Sequence, residues 1–519
     1  MCNEQDFIVN PRDRIFREQS EKISQQAQVI EQQARMIEQQ AGKLKQLEDK
    51  VKRLEALVES KADAKASKKP VFTENYSLDR NKKQKKSKKN SKKKKRAGRK
   101  PTRDKHGLAT IVVDVYADGV AHDECIRHRS QYAWRLVEGK TVYVCYHIYD
   151  LPDSRDLPLP AGVRNCRSEF GIEIILILAF LHYWIGVSLD NACQIMEFFT
   201  DLKLPKSQAN SLLNQLSSDW NEQYDTIAEL IALQMIVYID ETGWKVGKKS
   251  CYTWVFSTGM HVLFRCGVTR KKSEATAVLG EFYHGIGVTD DYAAYKSLFS
   301  QHQLCWAHLI RKAIKLAMQN PDETEYAEFL DNLCLIYDDA KQLRDDRKSS
   351  TTDAARSDEG VDSTEIVKRL QDRLKSLCTR REEEIITLKA AEKSNPPIEP
   401  TADHTATFIL LQRELADNVD NLFVFVAHPE VEATNNISER NVRREAEIRK
   451  GARTSKTEEG AKRRGIIVTV LASLQTRIAT FTLSNLLSEV DRWLEAGCSL
   501  FEQELQAMQV YHPPPEPTS

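Results

Sequence analysis

The stretch Met235-Ile-Val-Tyr-Ile-Asp-Glu-Thr-Gly-Trp244 joins an apolar, partly β-branched run to a pair of acids followed by glycine. A short apolar run that ends in turn-favouring residues is typical of a buried β-strand. We therefore predict a strand over residues 235–239, with Asp240 at its terminus. A sheet would hold that carboxylate on rigid backbone.

Two other acids occur in comparable settings. Asp290 follows the apolar lead-in Ile286-Gly-Val288, and Glu439 lies in the basic, predicted helical segment Asn435-Asn-Ile-Ser-Glu-Arg-Asn-Val-Arg-Arg444. Mg²⁺ prefers oxygen ligands and usually takes one or two protein carboxylates, with water and substrate phosphate in its other positions. Paired ions roughly 3.5 to 4 Å apart can drive an in-line displacement at phosphorus. The three acids therefore indicate a Mg²⁺ (or Mn²⁺) site for nucleic-acid chemistry, whereas taken singly each would be an ordinary surface charge.

Asp291 is a second candidate beside Asp290. Consecutive residues on an extended strand point to opposite faces, so we expect one of the two aspartates to face Asp240. The apolar lead-in ends nearest Asp290. We assign the metal to Asp290 and expect Asp291 to begin the next helix, capping its free N–H groups.

Four motifs occur in one order along the chain. They are Asp240-Glu-Thr-Gly-Trp244, Asp290-Asp-Tyr-Ala-Ala-Tyr295, Cys305-Trp-Ala-His308 with Arg311, and Asn435-Asn-Ile-Ser-Glu-Arg-Asn-Val-Arg443 followed by Arg449-Lys450. Together they resemble transposases of the insertion-sequence-66 family over about residues 166–474. The resemblance implies a multidomain α/β protein with an RNase H-like catalytic core, here residues 233–478. It also implies an acidic (DDE) triad of Asp240, Asp290 and Glu439 that cleaves and joins transposon DNA ends with Mg²⁺.

Positive charge surrounds Glu439, where a phosphate backbone would arrive. We predict DNA contacts from Arg440, Arg443, Arg444, Arg449 and Lys450. An ordinary helical ion pair between Glu439 and Arg443, four positions apart, is the alternative. Asn435 and Asn436 are expected to start and cap this helix.

Cys305, His308 and Arg311 are expected to support the core near the metals. A Cys-x-x-His pair invites a zinc interpretation, but two ligands do not make a site. Contact of His308 with a scissile phosphate is a second alternative, and a packed, hydrogen-bonded histidine is the favoured one.

A polycation interrupts an otherwise acidic chain. Residues 80–103 hold 15 Lys and Arg and no acid, against a formal net charge of +1, so the remainder carries −14. This polar tract predicts a disordered basic linker over residues 63–107 that makes salt-sensitive phosphate contacts. A plain solubilising linker is the alternative. The predicted DNA-binding residues of the tract are Lys92, Lys93, Lys94, Lys95, Arg96 and Arg99.

A heptad array precedes the linker. Apolar residues recur every seven positions, at Ile23, Ile30, Ile37, Leu44, Val51 and Val58. Such spacing is typical of a coiled coil, which we place in residues 1–62 and expect to drive homo-oligomerisation. A solitary amphipathic helix packed on its own domain is the alternative.

Cysteine usage and hydropathy restrict the compartment. Eleven cysteines without a Cys-x-x-Cys pair fit a reducing cytosol, and the first residues lack the pattern of a signal peptide. The most apolar stretch, 174–185, is too short for a membrane span. We expect a cytoplasmic, nucleoid-associated protein with no membrane partner.

Two modules are predicted before the core. Residues 108–165 form a β module, with strands over 109–116 and 140–147; in the resembled family this region often carries a cysteine-paired zinc module. The remaining candidate ligands are Cys125, Cys145, His122, His128 and His147, and we predict no metal there because no close ligand pair is convincing. Residues 166–232 are helical, over 172–185, 189–199 and 205–220, and either read DNA as a helix-turn-helix or simply pack.

Within the core we predict antiparallel strands over 250–256 and 261–266, and a helix over 307–318. A helical insertion occupies about residues 320–420, with helices over 324–346 and 362–391. An amphipathic helix over 482–505 lies in the C-terminal part, 479–519.

The sequence thus predicts a DDE transposase that cleaves and transfers transposon DNA, with DNA, further copies of itself and accessory transposition proteins as partners. Two alternatives stay open. One is a catalytically inactive or domesticated DNA-binding oligomer, and the other is a nuclease built on the same core.

Overall fold

The computed structural model describes residues 105, 107–295, 297–352, 363–378 and 404–511. The predicted coiled coil, nearly all of the basic linker with its six DNA-binding candidates, and the last eight residues lie outside these ranges. No helix of the described part has the length and hydropathy needed to cross a membrane.

The segment predicted as a β module forms a three-stranded mixed sheet. Its order is β1-β3-β2, with β1 parallel and β2 antiparallel to the central strand. The second strand was not predicted, because its sequence is rich in arginine and only its middle, Gln131 to Ala133, is buried. The strands are β1 (Ile111–Tyr116), β2 (Ile126–Val137) and β3 (Lys140–Asp150).

A five-stranded mixed sheet follows in the predicted core. Its strands are β4 (Ile236–Val246), β5 (Lys249–Ser257), β6 (Val262–Val268), β7 (Tyr283–Thr289) and β8 (Phe299–Leu304). The order is β6-β5-β4-β7-β8. The first three strands are antiparallel, as predicted, whereas β7 runs parallel to β4 and β8 parallel to β7. The described part of the chain is therefore a mixed α/β structure with two mixed sheets.

The prediction that a strand ends at Asp240 is wrong. Strand β4 continues to Val246, paired throughout with β5. The reason is an alternating pattern beyond the acid, since Thr242, Trp244 and Val246 are all buried. Pairing of β4 with β7 ends at Tyr238, so Asp240 lies just past the point where these two parallel strands separate.

Helices from the predicted helical segment cover one face of this sheet. They are α1 (Ile172–Ala179), a π-helical turn (Phe180–Trp184), α2 (Leu189–Thr200), α3 (Lys206–Asp219) and α4 (Asn221–Ala232). The single helix predicted over 172–185 is thus α-helical only in its first half, and it ends at Gly186, whose φ is 79°. Leu213 and Ile227 share one hydrophobic cluster with Phe256 of the sheet.

A second hydrophobic cluster covers the β7 and β8 side. Trp306, Leu374, Phe408 and Phe423 form its centre, against Val288 of the sheet. Many of its residues belong to the described part of the predicted insertion, which is helical. Helix α5 (Ser273–Leu279) precedes β7, and α6 (Trp306–Gln319) follows β8. The insertion contributes α7 (Thr324–Thr352), α8 (Ser363–Cys378) and α9 (His404–Asp417), and α10 (Val424–Ala427) comes after it.

The last four helices are α11 (Asn436–Lys450), α12 (Glu458–Arg477), α13 (Leu483–Ala496) and α14 (Leu500–Tyr511). The one C-terminal helix predicted over 482–505 is two helices, broken at Gly497, whose φ is 70°. Such a left-handed backbone favours glycine and ends a helix.

Helix α12 covers the edge strand β6. Thr469 Oγ1 and Ser473 Oγ accept hydrogen bonds of 2.9 and 3.0 Å from the backbone N–H groups of Phe264 and Val262. Close approach needs Gly465, because a Cβ there would lie 2.8 Å from the Phe264 carbonyl oxygen. The edge strand is thereby protected from pairing with other chains.

Candidate active site

Two adjacent acids on β4 have different surroundings. The Glu241 side chain is 2 % exposed and forms an ion pair with Arg270, whose Nη2 lies 2.6 Å from Glu241 Oε1. The Tyr295 hydroxyl donates to its other oxygen. Asp240 Oδ1 accepts a 2.8 Å hydrogen bond from the Glu241 backbone N–H. Glu241 is therefore neutralised by a cation, whereas no ion pair with Asp240 forms among the described residues.

The pKa of Asp240 is raised to about 8. Burial is the largest cause, followed by the negative charges of Glu241, Asp290 and Glu439, while the hydrogen bond from the Glu241 backbone lowers it. Negative charges from the end of β7 and from α11 thus act on the buried carboxylate of β4. A hard divalent cation relieves such repulsion and takes oxygen ligands, so this donor set fits Mg²⁺ or Mn²⁺.

Asp290 directly follows β7. Its Oδ1 accepts a 3.2 Å hydrogen bond from the Tyr292 backbone N–H. Asp291, expected to cap the next helix, is exposed, and a short 3₁₀ helix begins at Ala293. Asp290 therefore reaches the Tyr292 backbone N–H, and capping by Asp291 stays a prediction.

Glu439 lies in the first turn of α11, which two hydrogen bonds fix against the sheet. Asn435 Nδ2 donates to the Ile239 carbonyl oxygen at 2.7 Å, and Ser438 Oγ donates to the Val255 carbonyl oxygen at 3.2 Å. Ile239 precedes Asp240, and Val255 pairs with Asp240 across the sheet. The expected side-chain cap by Asn435 is not made, because its amide reaches the sheet instead.

The Cys-x-x-His-x-x-Arg motif surrounds Glu439. Glu439 Oε1 lies 2.9 Å from Arg311 Nη2, 3.6 Å from His308 Nδ1 and 4.0 Å from Cys305 Sγ. Cys305 stands just before α6, so the three residues follow one another along the start of that helix. The expectation that they gather near the acids agrees with this geometry, and the ion pair of Glu439 is with Arg311 rather than Arg443.

A cleft of about 410 Å³ opens beside these groups. Asp290 and His308 line it together with the cations Arg270 and Lys312. Sequence reasoning missed both cations. A basic run, Arg270-Lys-Lys272, directly after β6 was the available signal for the first. Nothing in the sequence marked Lys312, which pairs with Glu414 at 2.5 Å.

The predicted DNA-contacting residues of α11 fall into two groups. Arg440, Arg443 and Lys450 are exposed. Arg449 Nη1 donates to the Gly243 carbonyl oxygen at 3.2 Å. The Arg444 guanidinium lies 3.4 Å from the centre of the Trp184 ring, and burial lowers the pKa of Arg444 to about 10. The first three are thus free to meet phosphate, whereas Arg444 is packed.

Two further candidates from the sequence are the possible DNA-reading helix α3 and the possible metal ligands of the β module. Residues of both make contacts within the protein. On α3, the would-be recognition helix, Asp219 and Asn214 accept hydrogen bonds from Arg164 and Arg463. In the β module, Cys145 is buried between Tyr132 and Tyr143, whereas His122 stacks on Tyr116. The absence of a metal from that module stays a prediction.

Comparison with known proteins adds the family. No individual curated protein matches the chain. The family model described as Transposase IS66 family matches residues 167–463, more than half of the 519 residues, and includes β4, β7, α6 and α11 with every acid described above. The chain belongs to the IS66 transposase family.

Proposed function

We propose that this protein catalyses metal-dependent cleavage and strand transfer of transposon DNA ends, with Asp240, Asp290 and Glu439 holding Mg²⁺ or Mn²⁺. The single observation that carries the proposal is the raised pKa of Asp240, about 8, caused by burial and by the charges of the other acids. A buried acid that neighbouring acids keep from ionising is suited to bind a cation, whose charge would offset this repulsion.

The proposal includes an RNase H-like core. Its support is the sheet order β6-β5-β4-β7-β8, in which three antiparallel strands are followed by two that run parallel to the central one. Helices cover both faces of this sheet. An acid on the central strand, one after the neighbouring parallel strand and one on a later helix suit the resembled DDE arrangement.

Each acid has a distinct support in the chain. Asp240 is held by the sheet, Asp290 by its hydrogen bond to the Tyr292 backbone, and Glu439 by the anchored start of α11. When bound, the metal would polarise the scissile phosphate and activate the attacking oxygen. Arg311 offsets the charge of Glu439 and is itself half exposed, so it can turn towards an arriving phosphate.

DNA would reach the acids along a basic surface. Arg440, Arg443 and Lys450 are exposed on α11, and Arg270 and Lys312 line the cleft. Such contacts position a phosphate backbone without reading its sequence. The lysine tract and the coiled coil extend this proposal to linker contacts and to pairing of two DNA ends in an oligomer, and both rest on sequence because they lie outside the described residues.

The test is a strand-transfer assay with labelled transposon ends and Mg²⁺. We expect Asp240→Asn, Asp290→Asn and Glu439→Gln each to abolish both cleavage and joining while DNA binding persists. Glu447→Gln is the matched control, since Glu447 is an exposed acid two turns further along α11. Undiminished cleavage in any one of the three variants would remove that acid from the site. Cleavage without joining in the parent protein would identify a nuclease.

A further inference from the structure

Three different metal-ligand types meet at the start of α6. Cys305, His308 and Glu439 each offer one ligand atom, and these atoms all lie within 4.8 Å of one another. Only Glu439 belongs to the proposed acid site. Sulfur and imidazole ligands do not suit Mg²⁺, which takes oxygen, but they do suit Zn²⁺.

One ring nitrogen of His308 is buried without a hydrogen bond to any described residue. His308 Nδ1 is buried and has no hydrogen-bond partner in the described part of the chain, although it points towards Glu439 Oε1 at 3.6 Å. Buried polar atoms normally have a partner. A metal ion between these two atoms would satisfy the imidazole nitrogen and the carboxylate at once.

The sulfur is prepared to carry negative charge. Cys305 Sγ accepts a 3.2 Å hydrogen bond from the Asn435 backbone N–H, and Cys305 stands at the N-terminus of α6, where backbone N–H groups favour negative charge. Donors of this kind stabilise a thiolate. Burial nevertheless raises the pKa of the Cys305 thiol, so a metal would have to displace its proton to solvent.

The spacing is close to that of a zinc site. Zinc bonds of about 2.3 Å to sulfur and about 2.0 to 2.2 Å to nitrogen and oxygen give ligand separations of roughly 3.3 to 3.6 Å in a tetrahedron. The separations here are 3.6 Å for nitrogen to oxygen and 4.0 Å for sulfur to oxygen. Both separations exceed the tetrahedral values by only a few tenths of an ångström, and the His308 ring, 40 % exposed, is free to close the nitrogen-to-oxygen separation.

We propose that Cys305, His308 and Glu439 form a site for Zn²⁺ that withdraws Glu439 from the acid triad and so inhibits cleavage. Arg311, which pairs with the same Glu439 oxygen at 2.9 Å, competes with the ion and must swing away. The fourth zinc position is left to water. The inhibitory half of this inference rests on the proposed function, whereas the metal site does not.

Metal binding can be measured without DNA. The full chain, stripped of metal with a chelator, is titrated with Co²⁺, whose bond to a thiolate gives a charge-transfer absorption band. We expect one such ion per chain, displaced by Zn²⁺, with Cys305→Ser abolishing the band and His308→Ala weakening Zn²⁺ binding by ~10-fold or more. Cys166→Ser, at an exposed cysteine, is the matched control. Arg311→Gln should bind Zn²⁺ more tightly, which simple loss of structure would not produce.

Cleavage with Mg²⁺ is then measured as Zn²⁺ is added, each variant against its own zinc-free rate. We expect the parent protein to be inhibited and Cys305→Ser to resist. A band that persists in Cys305→Ser, or no tightening in Arg311→Gln, would overturn the site. A normal band without inhibition would overturn the competition for Glu439. Failure of the acid triad would appear separately, as cleavage by Asp240→Asn, and would leave the cobalt result unchanged.

Discussion

Asn435 Nδ2 donates a 2.7 Å hydrogen bond to the carbonyl oxygen of Ile239, across 196 positions of sequence. This bond joins the residue before Asp240 to the residue before the helix that carries Glu439. The Asn435 backbone N–H also donates to Cys305 Sγ. One buried asparagine therefore sets the spacing between two of the proposed catalytic acids.

Asn435→Ala should reduce cleavage more than its loss of stability explains. Removing a buried hydrogen bond and leaving the Ile239 oxygen unpaired costs about 1 to 3 kcal/mol. Asn441→Ala is the control, since Asn441 lies on the same helix and bonds Ser257 Oγ of the sheet at 3.2 Å. Melting temperature and cleavage rate are compared at a temperature where both variants stay folded. Equal losses of rate would contradict a positioning role for Asn435.

Asp240 should make the metal-free protein less stable as pH rises. Its pKa is about 8 in the folded protein against an ordinary value of 3.8, so between these values the folded state holds a proton that the unfolded state has lost. The free energy of unfolding therefore falls from about pH 4 to pH 8. Asp240→Asn removes this penalty, which is on the order of a few kcal/mol at pH 8. Thermal melts with chelator at pH 5 and pH 8 test this, and an Asn variant that melts below the parent at pH 8 would contradict it.

Mg²⁺ should stabilise the protein most where Asp240 carries the largest penalty. A ligand that binds only the folded state raises the melting temperature. We expect the shift caused by millimolar Mg²⁺ to be larger at pH 8 than at pH 6, because the carboxylate must ionise to bind. Glu439→Gln should reduce the shift, with Glu447→Gln as control. A shift that is independent of pH would place the bound ion elsewhere.

Substitutions of the neighbouring residues Arg443 and Arg444 should have different effects on stability and on DNA binding. Arg444 stacks on Trp184 at 3.4 Å, so Arg444→Ala should lower stability by ~1 to 2 kcal/mol and leave the salt dependence of DNA binding unchanged. Arg443 is exposed. Arg443→Ala should reduce the slope of log affinity against log salt by about 0.9, as for one phosphate contact, with little effect on melting. The opposite pattern would make Arg444 the DNA contact.

Substitutions of the two aspartates after β7 should also have different effects on cleavage. Asp290→Asn is expected to abolish cleavage, whereas Asp291→Asn, at an exposed position, should retain it. Asp290 accepts the Tyr292 N–H, and an asparagine there keeps an oxygen that can accept the same bond. Asp291 does not make this bond. Neither variant should therefore lose more than about 1 kcal/mol of stability. If Asp291→Asn is the inactive protein, the metal-binding assignment is off by one residue.

Sequence patterns predicted the framework of the core because burial imposes it locally. The antiparallel run of β4, β5 and β6 and the helical segments before and within the core follow from apolar patterns, whereas the placement of helices on both faces of the sheet was not predicted. The end of β4 was misplaced because alternation past Asp240 carried the strand further than its apolar run. Strand β2 was missed because three arginines interrupt its apolar pattern.

The acids of the candidate site could be picked out from the sequence, but the contacts that support them could not. Asp240, Asp290 and Glu439 stand in recognisable motifs, and the IS66 family match spans all of them. The partners of these motifs come from afar: Arg270 reaches Glu241, and Asn435 reaches Ile239. Contacts over such separations depend on how the sheet and helices assemble, and no local pattern encodes them. The prediction that Asn435 caps its own helix failed for this reason.

The hydrogen bond from Asn435 to Ile239 also bears on the order in which parts of the protein fold. Contacts across long stretches of chain form late in folding, because the entropy of closing a large loop opposes them. Burial of tryptophan in the sheet should therefore recover before cleavage when the unfolded protein is returned to native conditions. During synthesis, a chain that has emerged as far as α9 has both aspartates but lacks Glu439. If the three acids form the proposed site, cleavage can begin only once the segment that carries Glu439 has been made.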